Sequence, residues 1–270
     1  MAEEMQRTII DLATPELIFE IEGALAWLTF NRPDARNAMT WAMYEGLVRA
    51  CERVDADESI RVLIVRGAGD KAFVAGTDIS QFQAFSTEAD ALDYEKKLNG
   101  VISRLERVQK PTLAMIHGFC VGGGAGIAMA CDLRLASATA KFGVPIARTL
   151  GNTLSAPMLA RLVSLVGPSR AKYVLFTAGF VEAEEGKAMG LFNEVVAPEQ
   201  LEARTRELAN LLASHAPLTL RSLKEGIRRV LEHARIPDQA DLILMAYMSE
   251  DFKEGVKAFG EKRAPQWKGK

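Results

Sequence analysis

The stretch that decides the fold is HGFCVGGGAGIAMACD, His117–Asp132. The segment before it, Lys110–Ile116 (KPTLAMI), is apolar after a Lys-Pro start, which is typical of a buried parallel strand. Three glycines, Gly122–Gly124, then let the main chain approach another molecule closely, and Ile127–Ala130 predicts a buried helix. The N–H groups at such a helix start lack partners within the helix and can stabilise an anionic oxygen. Tight packing alone is the alternative explanation for the glycines.

The composition is that of a globular enzyme. The chain has 270 residues, 49% hydrophobic and 25% charged, with a net charge of −2, so a basic face for nucleic acid is not expected. Cys51, Cys120 and Cys131 show no paired spacing, which predicts buried thiols in a reducing, cytoplasmic compartment. Three scattered histidines predict no metal site. We expect no targeting peptide, and no membrane span because no apolar run reaches roughly 18 residues.

Strand and helix patterns alternate along the first two thirds of the chain. A hairpin is predicted from Leu17–Ile21 and Leu25–Phe30, and a helix begins after Thr40. This alternation predicts an α/β fold. From Pro198 onward the pattern is helical, so we divide the chain near Ala197 into a core (1–197) and a helical C-terminal region (198–270).

Three segments are predicted from local composition alone. Two of them, Ser80–Asp90 and Ile146–Ser155, are expected to be polar loops. The third, Val181–Gly190, is expected to be a helix that ends at its glycine, followed by a strand.

Six segments together resemble the crotonase superfamily, also called the enoyl-CoA hydratase/isomerase family. The resemblance implies a spiral of β-β-α units with C-terminal helices that trimerise, giving a homotrimer or a dimer of trimers. It also implies an acyl-CoA thioester substrate, with coenzyme A as part of the substrate and no permanently bound cofactor. The matching segments are NRPDARNAM (31–39), KAFVAGTDI (71–79), KPTLAMIHGFCVGGGAGIAMACD (110–132), KFGVP (141–145), 178–197 and EGVKAFGEKR (254–263).

The resemblance also implies which residues bind the substrate. Main-chain N–H groups of Thr77 and Gly123 would hold the thioester oxygen; for Thr77 the alternative is a plain strand-to-loop turn beside Gly76. Arg36 would meet a phosphate of coenzyme A, unless its side chain is simply solvated. The other coenzyme A contacts implied are Ala35, Ala38, Ala75, Gly76, Asp78 and Ile79.

The family pattern breaks at two positions. Hydratases of this family use two glutamates, and the matching residues here are Gly126 and Ile146. Neither can transfer a proton, and acid–base catalysis contributes about 10²–10⁴-fold. We therefore do not expect two-glutamate hydration in its usual form. Gly126 is open to three interpretations: space for a bulky acyl group, room for a water or anion, or helix packing.

Other polar residues are candidates for the acyl end. The catalytic candidates are Asn152, Thr153 and Tyr247, the last of which lies where related naphthoate synthases place a tyrosine. Polar groups expected nearby are Tyr94, Glu95, Asn99, Arg148, Thr149 and Ser155.

Several other residues are expected to have structural or surface roles. His117 is interpreted as a satisfied core histidine and Asp132 as structural. His215 and His233 are expected on the surface.

The sequence therefore predicts an acyl-CoA enzyme that stabilises a thioester enolate with nonstandard proton-transfer groups. Hydration, isomerisation, C–C hydrolysis and decarboxylation all remain open, as does a non-catalytic acyl-CoA-binding homologue. An apolar stripe on the C-terminal helices suggests association and comprises Leu242, Leu244, Met245 and Met248.

Overall fold

Successive β-β-α units build two sheets. The computed structural model describes residues 7–82, 87–232 and 240–268. Within them the strands are β1 (Arg7–Ile10), β2 (Leu17–Glu22), β3 (Leu25–Phe30), β4 (Val62–Gly67), β5 (Ala72–Val74), β6 (Thr112–Ile116), β7 (Phe119–Val121), β8 (Leu133–Ser137), β9 (Lys141–Gly143), β10 (Val181–Glu182) and β11 (Glu194–Val196).

Helices fill the spaces between these strands and form most of the C-terminal region. They are α1 (Trp41–Ala56), α2 (Glu88–Glu106), α3 (Gly123–Ala130), α4 (Ile146–Thr149), α5 (Ala156–Thr177), α6 (Ala183–Met189), α7 (Leu201–Ser214), α8 (Pro217–Glu232), α9 (Ala240–Tyr247) and α10 (Glu250–Gly260).

The larger sheet has the order β1-β2-β3-β4-β6-β8-β11, and the smaller has the order β10-β9-β7-β5. Strands β4, β6 and β8 run parallel in the first sheet, while β5, β7 and β9 run parallel in the second. The three units β4-β5-α2, β6-β7-α3 and β8-β9-α4 thus each give their first strand to the larger sheet and their second to the smaller one. The α/β spiral expected from the sequence is confirmed.

Apolar side chains cover both faces of the larger sheet. All six residues of β3 are buried, because α1 and the smaller sheet lie on one face and α7 on the other. Trp27 and Ile64 pack with Leu201 and Ala209 of α7 in a second, outer cluster. This two-sided burial explains why β3, β4 and β6 read as continuous apolar runs. The proposed division near Ala197 stays a prediction.

Three local predictions were wrong. Asp90 lies inside α2, because Thr87 caps this helix and exchanges hydrogen bonds with Asp90 in a capping box. The expected loop after Pro145 begins with the short helix α4. The expected helix from Val181 begins only at Ala183, because β10 pairs antiparallel with β9 first.

Two further features are an extra strand at the sheet edge and the lack of a membrane-spanning helix in the described residues. Strand β1, which the sequence did not predict, pairs with β2 at the sheet edge. In the part of the chain that the structure describes, no helix combines the length and hydropathy needed to cross a membrane.

Candidate active site

The glycine turn brings α3 against the end of β5. A side-chain carbon at Gly124 would lie 2.2 Å from the carbonyl oxygen of Val74, so only glycine permits this approach. Gly122 has a φ of +56° and donates its N–H to the carbonyl of Gly143, which holds the turn against β9. The local sequence therefore places the N-terminus of α3 beside the segment that follows β5.

The N–H of Thr77 points away from its neighbouring segment. Met39 donates to the carbonyl of Gly76 (2.9 Å) and accepts from the N–H of Asp78 (2.9 Å). These two bonds form a parallel bridge between Met39 and Thr77. Because hydrogen bonding alternates along an extended chain, the N–H of Thr77 itself faces the opposite side, towards Gly123.

The N–H of Gly123 lies on the other side of the same gap. Gly123 is the first residue of α3, so its N–H has no acceptor inside the helix. A carbon attached to Gly123 would lie 3.5 Å from the nitrogen of Thr77. Neither N–H donates to any group within residues 7–82, 87–232 and 240–268. Two free main-chain donors thus flank one small space, an arrangement that can stabilise an anionic oxygen.

Two buried tyrosines surround the Thr77 side chain. The Tyr44 hydroxyl lies 2.8 Å from Thr77 Oγ1, and the Tyr94 hydroxyl lies 3.1 Å from it. Burial raises the pKa of both tyrosines, so their hydroxyls stay neutral. Sequence analysis missed Tyr44, because nothing in its own segment shows that α1 packs over the turn after β5.

The two segments expected to bind coenzyme A lie side by side. The N–H of Ala75 donates to the carbonyl of Arg36 (3.1 Å), and the Met39 bridge continues this pairing as far as Asp78. Residues 36–39 therefore run along residues 75–78. The structure places the two predicted segments next to each other.

The charged side chains of these segments have partners within the chain. The exposed Arg36 guanidinium lies 5.6 Å from the centroid of the Phe119 ring, a cation–π contact. Asp78 pairs with Arg32 (3.1 Å) and accepts a hydrogen bond from Ser80 (2.8 Å). Desolvation opposes ionisation of Asp78, but the hydrogen bonds from Ser80 and Arg32 together lower its pKa.

The space at Gly126 is filled by a neighbouring side chain. A carbon attached to Gly126 would lie 2.5 Å from Cε of Met158 and 3.8 Å from Cδ1 of Ile102. Of the three interpretations, this contact favours helix packing. Ile146 is half-buried at the start of α4 and packs against the core.

A buried polar cluster lies between α2, α9 and the segment after α4. The Tyr247 hydroxyl donates to Glu95 Oε1 (2.7 Å) and accepts from Asn152 Nδ2 (3.0 Å). One turn further along α2, Asn99 accepts from the Ser155 hydroxyl (2.8 Å). We call Glu95, Asn99, Asn152, Ser155 and Tyr247 the acyl-end cluster. It contains five of the residues that were expected near the acyl end.

Other candidates lie outside this cluster. Thr153 is half-buried in the same segment. Thr149 donates to the carbonyl of Pro145, and the exposed Arg148 lies over the ring of Phe180. These two contacts hold the side chains of α4 in place.

The remaining titratable candidates differ in hydrogen bonding and burial. Asp132 accepts from Thr112 and Lys224, which fits a structural role. His117 was expected to be fully satisfied, but its buried Nε2 has no hydrogen-bond partner in the described part of the chain, and burial lowers its pKa. His215 is exposed, whereas His233 lies outside the described residues.

The three cysteines are not part of a metal-binding cluster in the described residues. Cys51, Cys120 and Cys131 are free and buried, and burial raises the pKa of each thiol. Over the described ranges, no three His, Cys, Asp or Glu side chains are grouped to hold an ion.

Comparison with known proteins connects this geometry to a family. A family model described as enoyl-CoA hydratase/isomerase matches residues 20–270. The chain belongs to the enoyl-CoA hydratase/isomerase family. It is 36% identical over 250 residues to a short-chain-enoyl-CoA hydratase of Clostridium acetobutylicum, covering 92% of this chain and 95% of that protein. It is 37% identical over 256 residues to a crotonyl-CoA hydratase of Syntrophomonas wolfei, covering 93% and 97%.

A solved structure agrees with this membership. The fold matches that of a methylmalonyl-CoA decarboxylase in complex with 2-nitronate-propionyl-CoA, with a TM-score of 0.86 and 28% identity over 94% of this chain and 99% of that one. The crotonase-superfamily resemblance is therefore confirmed. The chain is an acyl-CoA enzyme of the hydratase/isomerase family, and its substrate is a coenzyme A thioester.

Proposed function

We propose that Thr77 and Gly123 donate their main-chain N–H groups to the carbonyl oxygen of an acyl-CoA thioester. The observation that carries this proposal is the pair of unpartnered amides on either side of one gap. When a bond next to the carbonyl breaks, negative charge moves to this oxygen as an enolate. Two fixed donors stabilise that charge, and losing one such donor typically costs about 3–4 kcal/mol.

Coenzyme A would follow the paired segments 35–38 and 75–79. Their mutual hydrogen bonds support a continuous strip that leads to Thr77. Arg36 lies exposed at one end of this strip and can meet a phosphate. No permanently bound cofactor is needed, since the thioester itself supplies the electron sink.

Hydration by two glutamates is not part of this proposal. The absence of a carboxylate at 126 and 146 favours reactions that pass through the enolate with a different proton carrier. Isomerisation and hydration by another carboxylate both meet this requirement.

A specific observation favours decarboxylation as a second candidate. The structural neighbour named above is a methylmalonyl-CoA decarboxylase. Loss of CO₂ from a malonyl-type thioester leaves an enolate directly, so its first step needs the oxyanion donors but no base.

The test offers the purified protein crotonyl-CoA, a panel of aromatic and branched enoyl-CoAs, and methylmalonyl-CoA. Hydration lowers the absorbance of the conjugated thioester, and decarboxylation releases CO₂. Consumption of any thioester supports the proposal. Tight binding of every thioester without turnover identifies the non-catalytic acyl-CoA binder instead, and the absence of binding refutes both.

We also propose self-association through the C-terminal helices, as a homotrimer or dimer of trimers. Met245 is 69% exposed, whereas Leu244 and Met248 are half-buried, and the side chain of Leu242 lies outside the described set. A larger apolar face, which the sequence analysis missed, lies on α8 and consists of Leu223, Ile227, Val230 and Leu231. Light scattering on Ile227→Lys would report a monomer if this face holds the assembly. The three buried, unpaired thiols support the expected cytoplasmic location.

A further inference from the structure

We propose that Glu95 is the group that moves a proton at the acyl end of the site. This inference rests on the proposed function, because a proton can leave the carbon next to a thioester only if the enolate is stabilised. It assigns the proton carrier that residues 126 and 146 do not supply.

Glu95 is linked to Thr77 by a series of side-chain contacts. Its neighbour Tyr94 reaches Thr77 Oγ1 (3.1 Å), and the ring of Tyr94 packs against that of Tyr247, with centroids 6.3 Å apart. Tyr247 in turn donates to Glu95 Oε1 (2.7 Å). The carboxyl group thus belongs to the same set of packed side chains as the residue that would hold the thioester oxygen.

One oxygen of this carboxyl group is not used by the fold. Glu95 is only 4% exposed, and its Oε2 is buried without a hydrogen-bond partner in the described structure. The buried Oδ1 of Asn152, on the other side of Tyr247, is unpartnered in the same way. Leaving a buried acceptor without a hydrogen-bond donor is unfavourable. A carboxylate that only anchored α9 would need Oε1 alone, whereas a proton-transfer group needs a free oxygen.

The surroundings of Glu95 favour the neutral form of its carboxyl group more than water does. Burial raises its pKa, and the hydrogen bond from Tyr247 offsets part of this effect. The titratable groups that face it are Tyr247 from α9, Tyr44 from α1 and the adjacent Tyr94. It makes no salt bridge with a described lysine or arginine. A carboxyl group with a raised pKa is an effective acid and base.

The step balances without any further reactant. The Glu95 carboxylate takes a proton from the carbon next to the thioester carbonyl. The C–H bond breaks, an O–H bond forms at Glu95, and the electron pair moves to the carbonyl oxygen as the enolate. Return of the proton to the same carbon gives exchange with solvent, and its return to a more distant carbon of an unsaturated chain gives isomerisation.

The experiment measures deuterium incorporation next to the carbonyl of butyryl-CoA in D₂O, together with the affinity for butyryl-CoA. Wild type is expected to exchange, and Glu95→Gln is expected to exchange at least about 100-fold more slowly with unchanged affinity. Asp93→Asn, an exposed carboxylate two residues away on α2, is the matched control and should keep the wild-type rate. Tyr247→Phe should slow exchange less than Glu95→Gln does and should shift its pH profile, as expected for a positioning residue.

Two results would overturn the inference without touching the proposed function. The first is wild-type exchange in folded Glu95→Gln, and the second is tight binding of butyryl-CoA by wild type with no exchange. Absence of both binding and exchange in wild type would instead refute the proposed function. If Glu95→Gln does not fold, the pH profile of wild type decides. The rate must rise with ionisation of a carboxyl group above pH 4.5, and a pH-independent rate contradicts the role of Glu95.

Discussion

The two ends of the site are built in different ways. At the thioester end the main chain supplies the functional groups, and the glycine turn and the bridge to Met39 hold them in place. At the acyl end, side chains from α2, α9 and the segment after α4 form a cluster whose members lie up to 152 positions apart. Main-chain chemistry of this kind depends on local sequence, whereas side-chain chemistry depends on how distant segments pack. A family can therefore keep the first end while the second changes.

The largest effect is expected at the thioester end, from filling the gap between the N–H groups of Thr77 and Gly123. Gly123→Ala places a carbon 2.6 Å from the Tyr44 hydroxyl and 3.5 Å from the nitrogen of Thr77, where the thioester oxygen would lie. We expect turnover, or proton exchange into butyryl-CoA, to fall about 10²–10³-fold.

The matched control for this change is Gly100→Ala. A carbon at Gly100 meets nothing within 4 Å on the exposed side of α2, so the rate should not change. Gly100→Ala should also stabilise the fold by up to about 1 kcal/mol, because alanine is the better helix former. Full activity in Gly123→Ala would show that the gap is not the oxygen site.

At the acyl end the largest effect on stability is expected from Tyr247→Phe. Removing the hydroxyl leaves Glu95 Oε1 without its donor and Asn152 Nδ2 without its acceptor in a buried site. Urea unfolding should show a loss of about 1–3 kcal/mol. Tyr173→Phe, at a tyrosine that is 54% exposed, should change stability by less than about 0.5 kcal/mol. Equal effects at both positions would contradict a buried cluster.

Substitutions at Gly126 and Met158 test whether glycine is required at position 126 because Met158 packs there. If Met158 fills the space, Gly126→Ala and Met158→Ala should not be additive in unfolding free energy. The coupling is expected to be at least about 0.5 kcal/mol, with Met158→Ala relieving the strain of the added carbon. Additive effects would mean that the site is open, in favour of a water, an anion or an acyl group.

The smallest expected effect is a dependence of stability on pH. The pKa of Glu95 is raised in the folded chain above 4.5, so folding favours its neutral form. Its contribution is complete below the unfolded pKa and is lost as pH rises through the folded pKa. Glu95→Gln, which stays neutral, should therefore gain stability relative to wild type from pH 5 to pH 8 in urea unfolding. A constant difference over this range would contradict the raised pKa.

The elements that could be predicted from the sequence are those set by residues close together in the chain. The hairpin, the Thr40-capped helix and the strand–glycine–helix unit are specified by residues within one or two turns of chain, and all three are confirmed. The capping box that extends α2 to Thr87 was also readable but was overlooked. By contrast, Tyr44 meets Thr77 across 33 positions, and no local pattern shows this contact.

The acyl end shows the same limit. The sequence placed Glu95, Asn152 and Tyr247 among the candidates, but it did not show that they share hydrogen bonds. Nor did it show the exposed apolar face of α8, because an amphipathic helix has the same pattern whether its apolar side meets the core or a partner.

The most direct test of the central claim is the infrared difference spectrum of crotonyl-CoA labelled with ¹³C at the thioester carbonyl. If the N–H groups of Thr77 and Gly123 both bind this oxygen, the labelled stretch must move to lower frequency on binding to wild type, and the displacement must shrink in Gly123→Ala. A carbonyl that binds wild type at its frequency in free solution would contradict the account.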